Sequence, residues 1–488
     1  TEAAMKEALW LWSSAGSRVR DTGADDLFLL LGTENHDLNR RPCHHLVTAL
    51  LKDDPAYRDR KLADGHTTAQ HAAAHTSFFR EWPRRRAAAG LWVEIGSNTY
   101  QKYSWPALFN LHDLSPDPVI RHRFGLLLDL AFIEEAQISV QGRRGGGRSR
   151  ADGGALGFGA YKNLLHAIDG RPADCSHSPV IETSRYQLPA EAILLASRAL
   201  PAPQPFVIRN RVPGQSEPPR PEDTDGQRIA ADSALVNYAY RTPHYQLGTT
   251  LQNPALEYSG ISRQNRAWDM LFEDARGGAI HPVIEKTRGG RPQHPFWSVQ
   301  HESALVLQRI PTHPAGSYST GKISIRFAAD ALTMVEEDGW IFASNGKAFA
   351  GVRFLDGGHQ WNQQKTEAAP ARFSGPGDSS RILVQAGDIS CHGSFGQFRA
   401  TVRSNPLTVT ADKVDYRFGD GANHIEMTLY NPPSPASFTL PRINGQPIDL
   451  HPAAVYESPF LNGPFGGDRF TVSVGPIRRV LDFSGTGN

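Results

Sequence analysis

The first 204 residues place their apolar side chains mainly three and four positions apart, which is the spacing of amphipathic helices. The broadest apolar face lies in 119–138. It follows Asp117 and Pro118, a favoured capping residue and a favoured first-turn residue of a helix. We predict an opening helix around 9–12 and further helices over 45–51, 68–89, 100–114, 119–138, 155–168 and 190–200.

From residue 205 onward, short runs of β-branched and aromatic residues alternate with turn residues. Strands are predicted over 206–208, 323–327, 340–342, 349–354, 381–384, 398–402 and 470–474. So many strands without long helices between them favour an antiparallel sandwich. We predict an α+β multidomain protein with a helical domain at 1–204 and a β domain at 205–488. The β domain could comprise two sheet-rich subdomains that meet near 370–380.

Composition and charge argue against some classes of binding partner. The 488 residues carry 51 Lys and Arg against 50 Asp and Glu, a net charge of +1, so neither nucleic acid nor an anionic membrane is expected as a partner. No apolar run approaches the roughly 20 residues that span a bilayer. Three cysteines are too few for a disulfide scaffold. We expect a secreted or periplasmic protein whose signal peptide has been removed.

The best candidates for catalytic residues lie in the segment 33–37, whose sequence is Thr-Glu-Asn-His-Asp, and at Tyr100. Removing the C5 proton of a uronic acid puts a second negative charge beside its carboxylate, so a donor to that carboxylate stabilises the transition state. Asn35 fits this role, and His36 and Tyr100 fit the roles of base and acid. Alternatively, Asn35 and His36 belong to a helix cap and Tyr100 is a core aromatic.

A helical half followed by a β half, with Asn35, His36 and Tyr100 on the helical part, resembles a family of polysaccharide lyases. These are the alginate lyases and heparinase II/III-like enzymes, which have an incomplete (α/α) toroid followed by an antiparallel β-sandwich. The resemblance implies that an acidic polysaccharide or oligosaccharide is cleaved by β-elimination. It also implies a second catalytic histidine from the first β segment, which would be His244.

Further residues are predicted to bind the substrate. The Gly-rich segment 141–150 lacks the ending of a phosphate-binding loop, and its arginines are predicted to bind a polyanion at the rim of a cleft, with flexibility supplied by glycine. A solvated loop is the alternative. The arginines at 84–86 are assigned to the helix dipole and solubility. The predicted substrate-binding residues are Arg148, Arg150, Glu94, Tyr103, Tyr245 and Arg266, with a buried structural carboxylate as the alternative for Glu94.

No cofactor is predicted, and a structural divalent metal is the alternative. His71 and His75 are four residues apart and His66 precedes them, but we find no nearby carboxylate in the sequence to complete a site. The β half offers isolated histidines at 359, 392 and 424.

Two other functions remain open. A glycoside hydrolase on the same helical scaffold would need two carboxylates a fixed distance apart. Its candidates are Glu34, Asp37, Glu94 and Asp113. A carbohydrate-binding protein without turnover is the second alternative.

Overall fold

The structure is a computed structural model of the whole chain. It describes residues 1–97, 100–140, 143–150, 180, 183–197, 205–223, 225–262, 265–273, 278–284, 296–310, 323–327, 332–363, 371–377, 379–428 and 438–486. The predicted helix at 155–168 lies outside these residues.

Most helices overlap the predicted ones, but the helix predicted at 45–51 begins at Glu34, and the short helices after residue 388 were not predicted. They are α1 Glu2–Gly16, α2 Glu34–Leu51, α3 Thr68–Ala89, α4 Gln101–Leu114, α5 Pro118–Ile138, α6 Ala190–Ser197, α7 Ile389–His392 and α8 Phe395–Ser404, with short 3₁₀ turns at Val19–Thr22 and Ala24–Asp26. Asp117 caps α5 as predicted, because its Oδ1 accepts the N–H of Ile120 at 3.0 Å. None of the described helices combines the length and apolar content needed to cross a bilayer.

The strands alternate with tight turns along the second half of the chain. They are β1 Leu29–Leu31, β2 Ser139–Val140, β3 Arg143–Arg144, β4 Arg148–Ser149, β5 Phe206–Arg211, β6 Gly226–Arg228, β7 Leu235–Arg241, β8 Tyr245–Gln252, β9 Asn265–Arg266, β10 Trp268–Phe272, β11 Ala279–Ile284, β12 Phe296–His301, β13 Ala304–Arg309, β14 Ile323–Phe327, β15 Thr333–Glu337, β16 Trp340–Ser344, β17 Ala348–Phe354, β18 Gln360–Gln363, β19 Ala371–Ser374, β20 Arg381–Asp388, β21 Leu407–Val409, β22 Lys413–Phe418, β23 Asn423–Thr428, β24 Arg442–Ile443, β25 Gln446–Pro447, β26 Ala454–Glu457, β27 Leu461–Pro464, β28 Arg469–Val474 and β29 Ile477–Asp482.

All the pairings between these strands are antiparallel. The largest sheet has the order β18-β19-β14-β11-β10-β8-β7-β5-β26-β27-β28-β29. A second sheet has the order β12-β13-β20-β17-β16-β15, and a third has the order β21-β22-β23-β24-β25. The protein is therefore α+β, with helices and large antiparallel sheets.

The large sheet is covered on both faces, as strand β7 shows. Leu235 and Ala239 join the apolar cluster that the helices form, whereas Val236, Tyr238 and Tyr240 join the cluster shared with the six-stranded sheet. Side chains alternate between the two faces of a strand, so neighbouring residues of β7 reach different cores. Every residue of β7 is buried as a result.

The predicted strand at 398–402 is wrong. These residues belong to α8, whose N-cap Ser394 accepts the N–H of Gln397 at 3.2 Å. Phe398 and Val402 are four residues apart and are the buried residues of this helix. Their spacing fits a helical face as well as a strand, and the cap at Ser394 decides for the helix.

Candidate active site

The N-terminus of α2 points its successive side chains in different directions. Glu34, Asn35 and Asp37 are buried, whereas His36 is exposed. Consecutive helix residues are about 100° apart around the axis, so Asn35 and His36 face different surroundings. Asn35 and His36 both lie in α2, but among the described residues no hydrogen bond joins their side chains.

Glu34 anchors this turn and is not available as a catalytic carboxylate. It forms a buried ion pair with Arg86, and its two oxygens accept the N–H groups of Val93 at 3.0 Å and Glu94 at 2.8 Å. Arg86 is fully buried, so its assignment to solubility was wrong. Its role is to fix the start of α2 against the segment that follows α3.

Asp37 and Asp113 are engaged as well. Asp37 pairs with Arg41 at 2.9 Å and accepts the N–H of Leu31 at 3.3 Å. Asp113 accepts the N–H of Arg185 at 3.3 Å. The carboxylates that a hydrolase would use are thus mostly occupied in holding the chain together.

Asn35, Glu94, Tyr100 and Arg150 come together in space, and we call them the Asn35 cluster. Arg150 Nη1 donates to Asn35 Oδ1 at 3.2 Å and to Glu94 Oε1 at 2.5 Å. Its guanidinium carbon lies 3.3 Å from the centroid of the Tyr100 ring. Arg150 therefore connects three residues that lie far from it in the sequence.

The amide of Asn35 is oriented by its neighbours. Asn35 Oδ1 accepts from Thr33 Oγ1 at 2.6 Å as well as from Arg150. Since both contacts are to the oxygen, the NH₂ group is left as the donor of this side chain. Asn35 is 5% exposed, so a ligand that reached this NH₂ group would be largely shielded from water.

Two polar atoms of the Asn35 cluster are buried and have no hydrogen-bond partner among the residues that the structure describes. They are Glu94 Oε2 and Arg150 Nε. Burial and the nearby charge of Glu34 raise the pKa of Glu94 to about 7, against the effect of Arg150. Unpartnered buried polar atoms and a shifted carboxyl pKa are typical of functional sites.

Tyr100 lies at the entrance of α4 and is half-buried. Its backbone N–H donates to Ser97 Oγ at 3.2 Å, which fixes the residue just before the helix. Tyr103, one turn later, is 47% exposed. Its role in binding substrate stays a prediction.

The Gly-rich segment is packed against the large sheet and is not an exposed rim. A Cβ atom on Gly147 would lie 1.7 Å from Thr250 Oγ1, and Gly146 has a φ of +85°. Glycine is needed here for close approach, so the predicted flexible loop is wrong for 143–150. The segment then delivers Arg150, itself at a φ of +49°, to the Asn35 cluster.

Arg148 and Arg150 have different surroundings, although both were predicted to bind substrate. Arg148 is 1% exposed, and its Nε lies 3.4 Å from Asp269 Oδ2 in the large sheet. Its backbone pairs with that of Arg266, whose side chain lies outside the described residues. Burial beside Asp269 gives Arg148 a structural partner.

His244 and Tyr245 lie where strand β8 begins, at the opposite end from Thr250. The N–H of His244 donates to Thr242 Oγ1 at 3.1 Å in the turn between β7 and β8. Gly147 meets the same strand at Thr250, six residues further on, which is roughly 20 Å along a strand. Tyr245 is 3% exposed and belongs to the apolar cluster shared with the six-stranded sheet.

The histidines of the helical half also have partners. His71 Nδ1 and His75 Nε2 each lie 2.9 Å from Ser17 Oγ. Asp64 Oδ1 lies 2.8 Å from His71 Nε2, so a carboxylate is present where we predicted none. In the β half, His359 lies 3.3 Å from Glu336, and His392 packs on Phe398.

The comparisons with known proteins include a similar solved structure. No protein-family model matches the chain, and no curated protein sequence matches it. The chain is similar to the chondroitin AC lyase of Streptomyces coelicolor A3, whose crystal structure contains chondroitin sulphate. The identity is 11% and the TM-score is 0.34, over 81% of this chain and 66% of that chain. The chain thus spans just under two thirds of that enzyme, and a TM-score this low decides nothing about activity.

Proposed function

We propose that the protein is a polysaccharide lyase that cleaves an acidic, uronate-containing polysaccharide by β-elimination. The convergence of Asn35, Glu94 and Tyr100 on Arg150 carries this proposal. It joins an amide donor, a phenol and a cation, which are the groups that a carboxylate-activated elimination needs.

In this proposal, Asn35 and Arg150 receive the uronate carboxylate. The NH₂ group of Asn35 and the Nε of Arg150 are donors that the described residues leave available. Both would stabilise the negative charge that moves onto the carboxylate when the C5 proton leaves. Burial of both side chains strengthens this effect, since few water molecules compete.

Tyr100 is proposed as the base. It would act in its phenolate form, whose negative charge the Arg150 guanidinium over the ring stabilises until the proton is taken. The C5 proton passes to Tyr100, the C4–O4 bond breaks, and the electron pair forms the C4=C5 double bond. The departing O4 then takes a proton from His36, which is exposed on the same turn as Asn35, or from Tyr100 itself.

We further propose that the helices form an incomplete (α/α) toroid and that the large sheets form the sandwich that follows it. The packing of helices on one face of the large sheet, and of a second sheet on the other, supports this arrangement. A polymeric substrate is too large to enter a cell, so we propose a secreted or periplasmic location.

The test is a screen of uronate polymers with the full chain. β-Elimination gives a product with new near-ultraviolet absorbance and a mass without added water. Asn35→Ala should reduce this activity strongly, whereas Asn362→Ala, at an exposed position of β18, serves as the matched control. Hydrolysis of a neutral glycan, with no unsaturated product from any uronate polymer, would overturn the proposal in favour of a hydrolase.

A further inference from the structure

A short hairpin before α3 brings two histidines and an aspartate together, far from the Asn35 cluster in the sequence. Lys61 and Thr67 pair across it, and Gly65 turns the chain at a φ of +87°. Asp64 and His66 flank this glycine. His71 lies one turn into α3, with its ring facing the hairpin.

The ligating atoms of these three residues all lie within 4.8 Å of one another. Asp64 Oδ2 is 3.3 Å from His66 Nδ1, and Asp64 Oδ1 is 2.8 Å from His71 Nε2. Donor atoms around a tetrahedral zinc ion are about 3.3 Å apart, given bonds of roughly 2.0 to 2.1 Å. The two distances run to different oxygens of Asp64, so both imidazoles face this carboxylate within about half an ångström of that spacing, and a rotation of the carboxylate would bring one oxygen between them.

A second layer of contacts orients two of these ligands. Ser17 Oγ lies 2.9 Å from His71 Nδ1, on the ring nitrogen opposite the one that faces Asp64. The N–H groups of Val19 and His66 donate to Asp64 at 2.9 and 3.2 Å. Such outer contacts are typical of metal ligands.

A metal ion can also reach these three side chains from solvent. The side chain of His71 is fully buried, that of Asp64 is 18% exposed and that of His66 is 46% exposed. An ion could therefore enter from the side of His66, and water could take a fourth position. Two imidazoles and a carboxylate favour zinc and related divalent ions over magnesium or calcium.

A second group of similar composition provides a contrast. Asp415, His424 and Glu426 also lie within reach of one ion. There, however, the Lys413 ammonium lies 2.8 Å from Glu426 and 3.5 Å from Asp415. A protein cation already compensates these carboxylates. Among the described ion pairs of the Asp64 hairpin, the partners of Asp64 are the two histidines.

We propose that Asp64, His66 and His71 bind one zinc-class divalent ion, which fastens the hairpin to α3. His71 would bind through Nε2 and donate its Nδ1 proton to Ser17. The bound ion would thus tie the hairpin, α3 and the end of α1 together. This site is separate from the proposed lyase chemistry and does not depend on it.

The experiment is metal binding by the full-length protein after treatment with a chelator. Zinc chloride should bind with a stoichiometry of one and raise the thermal midpoint. Cobalt chloride should give the visible absorption of tetrahedral cobalt. His66→Ala should weaken zinc binding by about tenfold or more. Since His66 is half exposed, this variant should still fold, and Asp64→Asn provides a second test.

His424→Ala is the matched control, because it removes a histidine from the group that Lys413 neutralises. It should bind zinc like the unmodified protein. The proposal is overturned if the unmodified protein does not bind zinc, or if His66→Ala and Asp64→Asn bind it unchanged. Loss of binding in His424→Ala alone would assign the ion to the β half and also overturn it.

Discussion

The Asn35 cluster and the turn at His244 were both predicted to supply catalytic residues, but their contacts in the structure differ. Four residues from three distant segments converge in the cluster, and two of its buried polar atoms lack a described partner. At the turn, Thr242 Oγ1 receives the backbone N–H groups of His244 and Tyr245, and Tyr245 is buried. The polar groups of the turn are thus satisfied within the described residues, whereas two of those in the cluster are not, which is the difference that the proposed reactive role uses.

The strongest test of this difference is Tyr100→Phe. Loss of the hydroxyl removes the proposed base, so we expect kcat for β-elimination to fall by about 10³- to 10⁴-fold. Folding should be unchanged, as judged by thermal unfolding. Tyr57→Phe is the control, because Tyr57 belongs to a separate apolar cluster with Trp10 and Leu51. Wild-type rates in Tyr100→Phe would remove tyrosine from the mechanism.

A second test is Asn35→Ala. The loss of one donor to the developing charge should reduce kcat by about 10²- to 10³-fold, with a smaller change in KM. Steady-state kinetics on the uronate polymer separates the two parameters. An equal rise in KM at unchanged kcat would show that Asn35 binds substrate without stabilising the transition state.

The two histidines can be compared directly. His36→Ala should reduce kcat by about 10²-fold if His36 protonates the leaving oxygen. His244→Ala should stay within about threefold of the unmodified protein, since its turn lies roughly 20 Å along β8 from the point where Gly147 approaches. The reverse order of effects would place the proton transfer at the turn, as the family resemblance implied.

The smallest expected effect is the pH dependence due to Glu94. With its pKa raised to about 7, Glu94 becomes ionised as pH rises through 7 and then holds Arg150 more firmly. We expect kcat to rise through this range. Glu94→Gln should lose this step and run about tenfold slower at high pH, because an amide keeps no charge for Arg150.

The Glu94 carboxyl group also affects the stability of the fold. Its contribution to stability falls as pH rises, whereas kcat is expected to rise. A folded-state pKa raised from 4.5 to about 7 favours the protonated folded state. This contribution is fully present below pH 4.5 and is lost as pH rises through 7. It amounts to about 3 kcal/mol at most. Denaturant unfolding between pH 4 and 8 should therefore show a steeper loss in the unmodified protein than in Glu94→Gln.

Much of the fold was predictable because local patterns specify helices and strands. The predicted helix at 68–89 coincides with α3, and the predicted strand at 323–327 coincides with β14. The helix predicted at 45–51 starts eleven residues earlier, at Glu34, and the predicted strand at 398–402 is a helix, since Phe398 and Val402 fit either period. A local cap four residues before Phe398 decided between them, and the sequence signal for it was Ser394.

The candidate site was predictable in its residue types but not in its contacts. Arg148 and Arg150 are two residues apart in the same segment, yet one faces Asp269 and the other faces Glu94. Nothing in their spacing distinguishes them. Likewise, Asp64 was overlooked as a partner of His71, because a hairpin brings it there from seven residues away.

The sequence by itself determined the helical and β-rich parts of the chain and the choice of Asn35, Tyr100 and Arg150 as reactive types, because periodicity and side-chain chemistry are local properties. The tertiary structure decided which of them meet, which are consumed in holding the fold, and which remain available. These outcomes depend on burial and on partners from distant segments. A buried charge must find a partner wherever the packing places one, and the sequence order does not specify where that will be.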